Sequence, residues 1–92
     1  MSDAERLARF VGWEKRADGW MDLGGSRLYK EPIPATIEEY IAACEARGWL
    51  YILQSKEDGT HHAWLTGQYY GSGPSARAAL EAAILKALET ME

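Results

Sequence analysis

Residues 63–88 read AWLTGQYYGSGPSARAALEAAILKAL, and the order of residue types in that run decides the architecture. Trp64, Tyr69 and Tyr70 suit a pleated, half-buried surface. Gly71-Ser72-Gly73-Pro74-Ser75 then interrupts the aromatic pattern, and proline is well placed at the first turn of a helix. From Ala76 onward apolar residues recur at helical spacing. Ala76, Leu80, Ala83, Ile84, Ala87, Leu88 and Met91 share one face, while Arg77, Glu81, Lys86 and Glu89 lie elsewhere. The small alanines permit close approach, so this segment predicts a helix, beginning near Pro74 or Ser75 and ending about Thr90, laid on a sheet.

Working outward, His61 to Tyr70 is predicted as one strand, with Gly67 as a bulge. Glu57-Asp58-Gly59 turns the chain, and Trp49–Gln54 (WLYILQ) is predicted as its antiparallel partner. That run is apolar nearly throughout, which reads as a central strand covered on both faces. A second helix precedes it. Thr36 and Glu39 form a capping box, Ile37, Tyr40, Ile41 and Cys44 follow on one face, and Arg47-Gly48 ends it.

Pro32 and Pro34 forbid a helix just upstream, and Arg27 to Lys30 reads as extended. Gly24-Gly25-Ser26 is a flexible stretch. Trp13–Arg16 and Gly19–Leu23 flank Ala17-Asp18-Gly19, a hairpin signal. The first helix is predicted over Asp3–Val11, capped by Ser2 with Glu5 and stopped by Gly12. The chain is thus expected to be one α+β domain over residues 1–92, an antiparallel sheet layered with helices in the order α-β-β-α-β-β-α.

Composition narrows the function classes. Ten basic against 14 acidic residues leave a net charge of −4, which phosphate backbones repel. The longest basic cluster, Lys15-Arg16, is flanked by Glu14 and Asp18, so nucleic acid is not the expected partner. Cys44 is the one cysteine, and no intramolecular disulfide can form. With MSDAERLARF at the start and no run of about 18–20 apolar residues, neither a signal peptide nor a membrane span is expected. The chain reads as a soluble, intracellular protein of a reducing cytoplasm, of whichever cell hosts it.

Candidate sites are few. Gly71, Ser72, Gly73 and Ser75 open a helix whose first-turn amides and dipole favour an anion, and Arg77 adds a charge. The bland alternative is a capped strand-to-helix connection. His61 and His62 are adjacent, so on a strand they point to opposite faces and cannot grip one metal. They read as exposed hairpin residues. Cys44 completes an apolar stripe and reads as core. Among the aromatics, Trp20 in its short polar hairpin is the best candidate for exposed recognition, with Tyr69 and Tyr70 next. No cofactor, metal or catalytic constellation is expected.

Three stretches together resemble the phage ABA-sandwich domain, a family of small phage and prophage proteins. They are FVGW at Phe10–Trp13 with Trp20 following, LYKEPIPATIEEYIAAC at Leu28–Cys44, and the closing run from Ala63. The resemblance implies helices layered around a sheet and a phage origin; it carries no assigned activity and no site residues. The leading expectation is a non-enzymatic binding protein that occupies a host protein, such as a component of immune defence. The alternatives are a binder that sequesters a phosphate-bearing small molecule or signalling nucleotide, and a structural homo-oligomer.

Overall fold

The computed structural model describes residues 2–25 and 27–91. Ser26 of the expected flexible stretch, and the Met91 side chain assigned to the last helical face, lie outside the described residues. Three helices and two three-stranded antiparallel sheets occur in the order α-β-β-β-α-β-β-β-α. The α+β class is as expected, with one more strand in each half. The residues group into two compact units, one up to Ala35 and one from Thr36 onward.

The first unit begins with α1 (Asp3–Val11), whose Ser2 cap accepts from the Glu5 amide and whose Gly12 end adopts φ 113°. Glu5 does not complete a box, because its carboxylate takes the Ser2 hydroxyl instead. β1 (Glu14–Arg16) and β2 (Gly19–Met21) form the expected hairpin, with Arg16 opposite Gly19. The added strand is β3 (Leu28–Tyr29), which pairs with β2 and sets Trp20 opposite Tyr29. Ala8, Trp13 and Trp20 make the buried cluster, with Val11 and Tyr29 packed on it. Two indole rings thus supply the apolar area that so short a segment lacks.

The second unit begins with α2 (Ile37–Ala46), and here the capping box is complete, with Thr36 and Glu39 exchanging both bonds. Gly48 at φ 73° turns the chain out of the helix into β4 (Tyr51–Ser55), which pairs with β5 (His61–Leu65). The expected strand from His61 to Tyr70 is in fact two. Thr66 and Gly67 both take positive φ, 53° and 75°, the backbone a tight hairpin turn requires. Gly67 is therefore a turn residue and not a bulge. The chain returns as β6 (Tyr69–Gly73), followed by α3 (Ala76–Met91).

The sheet order β4-β5-β6 overturns a second expectation. The WLYILQ strand sits at an edge and is largely exposed, with Leu50 77% and Ile52 61% accessible. The true centre is β5, where Ala63 and Leu65 are fully buried.

α3 lies across β5 and β6 and also touches β4 and α2. Its buried face is Ala79, Leu80, Ala83, Ile84 and Ala87, joined in the core by Tyr40, Ala43 and Cys44. The approach is close because β6 carries glycine where it passes under the helix. A Cβ on Gly71 would fall 2.4 Å from both the Ala79 carbonyl oxygen and the Ala83 amide nitrogen, and one on Gly73 would fall 2.8 Å from the Ala78 Cβ.

α2 is tied to α3 by the Tyr40 hydroxyl, which donates to Glu81 Oε2 at 2.7 Å. Burial pushes the Cys44 thiol up to about 11. Burial, then the bond to Glu81, lifts the Tyr40 phenol far above its ordinary range. Both groups are neutral in the fold. A raised pKa contributes stability that is whole below the unfolded value and is lost as pH climbs through the folded one. The melting temperature should hold up to the ordinary thiol value of 9.0 and decline from there toward about 11. A melting curve flat across that window would contradict the assignment. Cys44 should also resist a thiol-exchange reagent at about pH 8 until denaturant opens the core.

Candidate functional site

The register of the second sheet sorts its side chains onto two faces. Leu53 lies opposite Ala63, and Ala63 opposite Gly71, on the side that α3 covers. Ile52, Trp64 and Tyr70 stand in one row on the other side, and Gln54, His62 and Ser72 form the next row. This outer face carries the densest set of rings in the unit. His62 stacks on both Trp64 and Tyr70, with centroids at 6.0 and 5.7 Å, and Trp64 lies 5.3 Å from Tyr70. The Lys86 ammonium stands 5.6 Å from the Tyr70 ring centre, within cation–π range.

A hydrogen-bond chain orients these rings. The Thr60 hydroxyl donates to Asp58 Oδ1 at 2.6 Å, and the Thr60 amide donates to the same oxygen at 3.0 Å. These two bonds, hydroxyl first, hold the Asp58 carboxyl below its usual range. With its single proton engaged, the Thr60 oxygen can only accept from His62 Nε2, 3.2 Å away. A neutral His62 then carries its proton on Nε2, and Nδ1 accepts from the Tyr70 hydroxyl. The chain Asp58–Thr60–His62–Tyr70 therefore runs in one direction, each bond polarising the next.

Sequence reasoning misses this arrangement. The adjacent histidines do face opposite ways, as expected, but the partners of His62 come from β6 and the β4–β5 turn. His61 pairs separately with Ser55, at 2.9 Å. The alternation of His62, Trp64 and Tyr70 is the available signal, once the turn at Thr66-Gly67 sets which residues stand opposite.

β4 borders this face and has an open edge. Leu50 accepts from the Thr66 amide at 2.8 Å, and the Lys56 amide donates to Thr60 at 2.9 Å. Antiparallel pairing alternates, so even-numbered residues from Leu50 to Lys56 bond to β5. The amides and carbonyls of Tyr51, Leu53 and Ser55 point outward. Residues 49–55, WLYILQS, carry no charge, whereas exposed edges are commonly guarded by lysine or proline.

The residues proposed from sequence are placed differently from expectation. Trp20 is not an exposed recognition ring. It is 2% accessible, because β3 and α1 cover the hairpin that looks bare in the sequence. The Arg9 guanidinium and the Lys15 ammonium stand 5.5 and 5.1 Å from its ring centre. Gly71, Ser72 and Gly73 are strand residues and not a loop. The glycines admit the backbone of α3, and Ser75 takes the Ala78 amide at 3.1 Å as a helix cap. Arg77 lies on the first turn and is exposed. Tyr69 and Tyr70 are both half-buried, on opposite faces. Cys44 is buried, as its stripe predicts.

The first unit has an open cavity of about 430 Å³ beside Trp20 and Pro32. Lys15 and Lys30 on its wall are matched by Glu5 and Glu31, which leaves no net pull on a phosphate. Among the described residues, no group of three or more His, Cys, Asp or Glu could hold a metal ion. No helix among them is long and apolar enough to cross a membrane. Comparison with protein-family models, with curated proteins and with solved structures gives no match for this chain.

Proposed function

We propose that this chain is a non-enzymatic protein-binding domain whose working surface is the β4 edge together with the outer face of the second sheet. The observation that carries the reading is an edge strand that is uncharged, offers three outward-facing residues and leaves Leu50 and Ile52 accessible. Such an edge accepts a strand from a partner, with backbone bonds giving affinity and alternate side chains giving selectivity. The oriented rings of Trp64 and Tyr70 lie alongside, and aromatic residues of this kind carry much of the energy at protein interfaces. The phage resemblance points to a host protein as partner, and a second copy would use the same edge.

The test is capture with the immobilised chain from host lysate with labelled soluble chain added, comparing the wild type with the double variant Ile52→Lys, Gln54→Lys. Ile52 and Gln54 are both exposed, so the fold should tolerate both changes, and the added charges guard the edge. The wild type should retain a protein that the variant loses. Equal retention by both, or by neither, would remove β4 as the working surface.

The phosphate-binding alternative has less support. The approach sides of Gly71 and Gly73 are filled by α3, and Ser75 already takes a first-turn amide.

A further inference from the structure

We infer that the partner of the β4 edge is a second copy of this chain, joined by antiparallel β4–β4 pairing about a two-fold axis at Leu53. The inference rests on the working surface proposed above and names its occupant.

Parity selects the register. The outward residues are Tyr51, Leu53 and Ser55, and a two-fold axis at Leu53 sets Leu53 opposite Leu53 and Tyr51 opposite Ser55. All three outward residues of each copy then sit in hydrogen-bonded pairs. A one-residue slip of the strand would pair outward amides with inward ones. A shift of the axis to Ile52 would set Ser55 opposite Trp49, whose amide already donates to the Cys44 carbonyl at 2.9 Å. A shift to Gln54 would set Tyr51 opposite Glu57, a turn residue beyond the strand, so the Leu53 register alone pairs all three outward residues with residues of β4 itself.

Side chains and charge agree with that register. On the outer face Ile52 falls opposite the other copy's Gln54, and the two Ile52 side chains become diagonal neighbours, within reach of each other. The seam holds no charge to repel a like copy. At each end, Lys56, Glu57 and Asp58 of one copy stand opposite Leu50, Trp49 and Gly48 of the other, so the two-fold register sets no like charges against each other. The result is a continuous six-stranded sheet.

A five-residue edge buries less than the roughly 800 Å² per partner of a standard interface. The dimer should therefore be concentration-dependent, with a dissociation constant of about 1–100 µM. Light scattering coupled to gel filtration reads this directly. Between about 5 and 500 µM the wild type should pass from the 10.3 kDa chain mass toward twice that value. Ile52→Lys, Gln54→Lys should stay monomeric across the range, and so should Ile52→Glu, Gln54→Glu. An equimolar mixture of the two should recover the dimer, because each lysine of one variant then opposes a glutamate of the other. Restoration cannot come from misfolded chains, so the mixture also controls for folding.

A wild type that stays at 10.3 kDa throughout, a Lys variant that dimerises as the wild type does, or a mixture that fails to reassemble would each overturn the inference. A monomeric wild type that still captures a β4-dependent partner overturns the second copy and leaves the surface reading standing. One that captures nothing overturns both.

Discussion

Gly71→Ala should strongly destabilise the second unit. The added Cβ would stand 2.4 Å from two backbone atoms of α3, the Ala79 carbonyl oxygen and the Ala83 amide nitrogen, and 2.8 Å from the Ala82 Cβ. Carbon atoms sit comfortably at about 3.5–4.0 Å, and a helix backbone cannot rotate out of the way as a side chain can. α3 would have to retreat by about 1 Å or more. That motion loosens Ala79, Leu80, Ala83 and Ile84 together, all fully buried. We expect a loss of about 3 kcal/mol or more, a large part of the roughly 5–10 kcal/mol available to a chain of this length. Urea unfolding measures it, and Gly67→Ala is the control. Gly67 has a positive φ but open space around it, so alanine there should cost only about 1–2 kcal/mol. If Gly71→Ala proved the milder of the two, the helix would not be seated as described.

Trp20→Ala should cost about 3–5 kcal/mol, the usual range for removing a buried indole. The ring is 2% accessible and packs with Ala8 and Trp13. The two flanking cations would lose their aromatic face as well. Trp20→Phe should recover part of the loss by refilling the space. The measurement separates two roles for one residue. A recognition aromatic could be truncated with stability intact and binding gone, whereas a core ring takes the fold with it. Denaturant midpoints unchanged by Trp20→Ala would return Trp20 to the surface.

These two residues show where the sequence is informative and where it is not. Gly71 reads as part of a ligand loop because glycine beside proline looks the same in a loop and at a close helix crossing. Trp20 reads as exposed because the hairpin residues Glu14, Lys15, Arg16 and Asp18 are charged. Those charges do point outward, but β3, only two residues long, is invisible to any periodicity. The WLYILQ run reads as central because an unbroken apolar strand is what a buried strand looks like. An edge strand that awaits a partner has the same composition.

By itself the sequence determined the local structure. The Ser2 and Thr36 caps, the Gly12 and Gly48 stops and the first hairpin follow from interactions between near neighbours and appear as read, as do Leu80, Ala83, Ile84 and Ala87 on the buried face of α3; the first capping box is not completed, and Ala79 is buried where the reading placed Ala76. Tertiary structure alone decided the order of strands, the burial of Trp20, the union of Asp58, Thr60, His62 and Tyr70, and the open edge at β4. Each of these depends on which distant segments lie side by side. That choice is made by the summed packing of whole elements, above all α3 on β5 and β6, and no short window of residues encodes it.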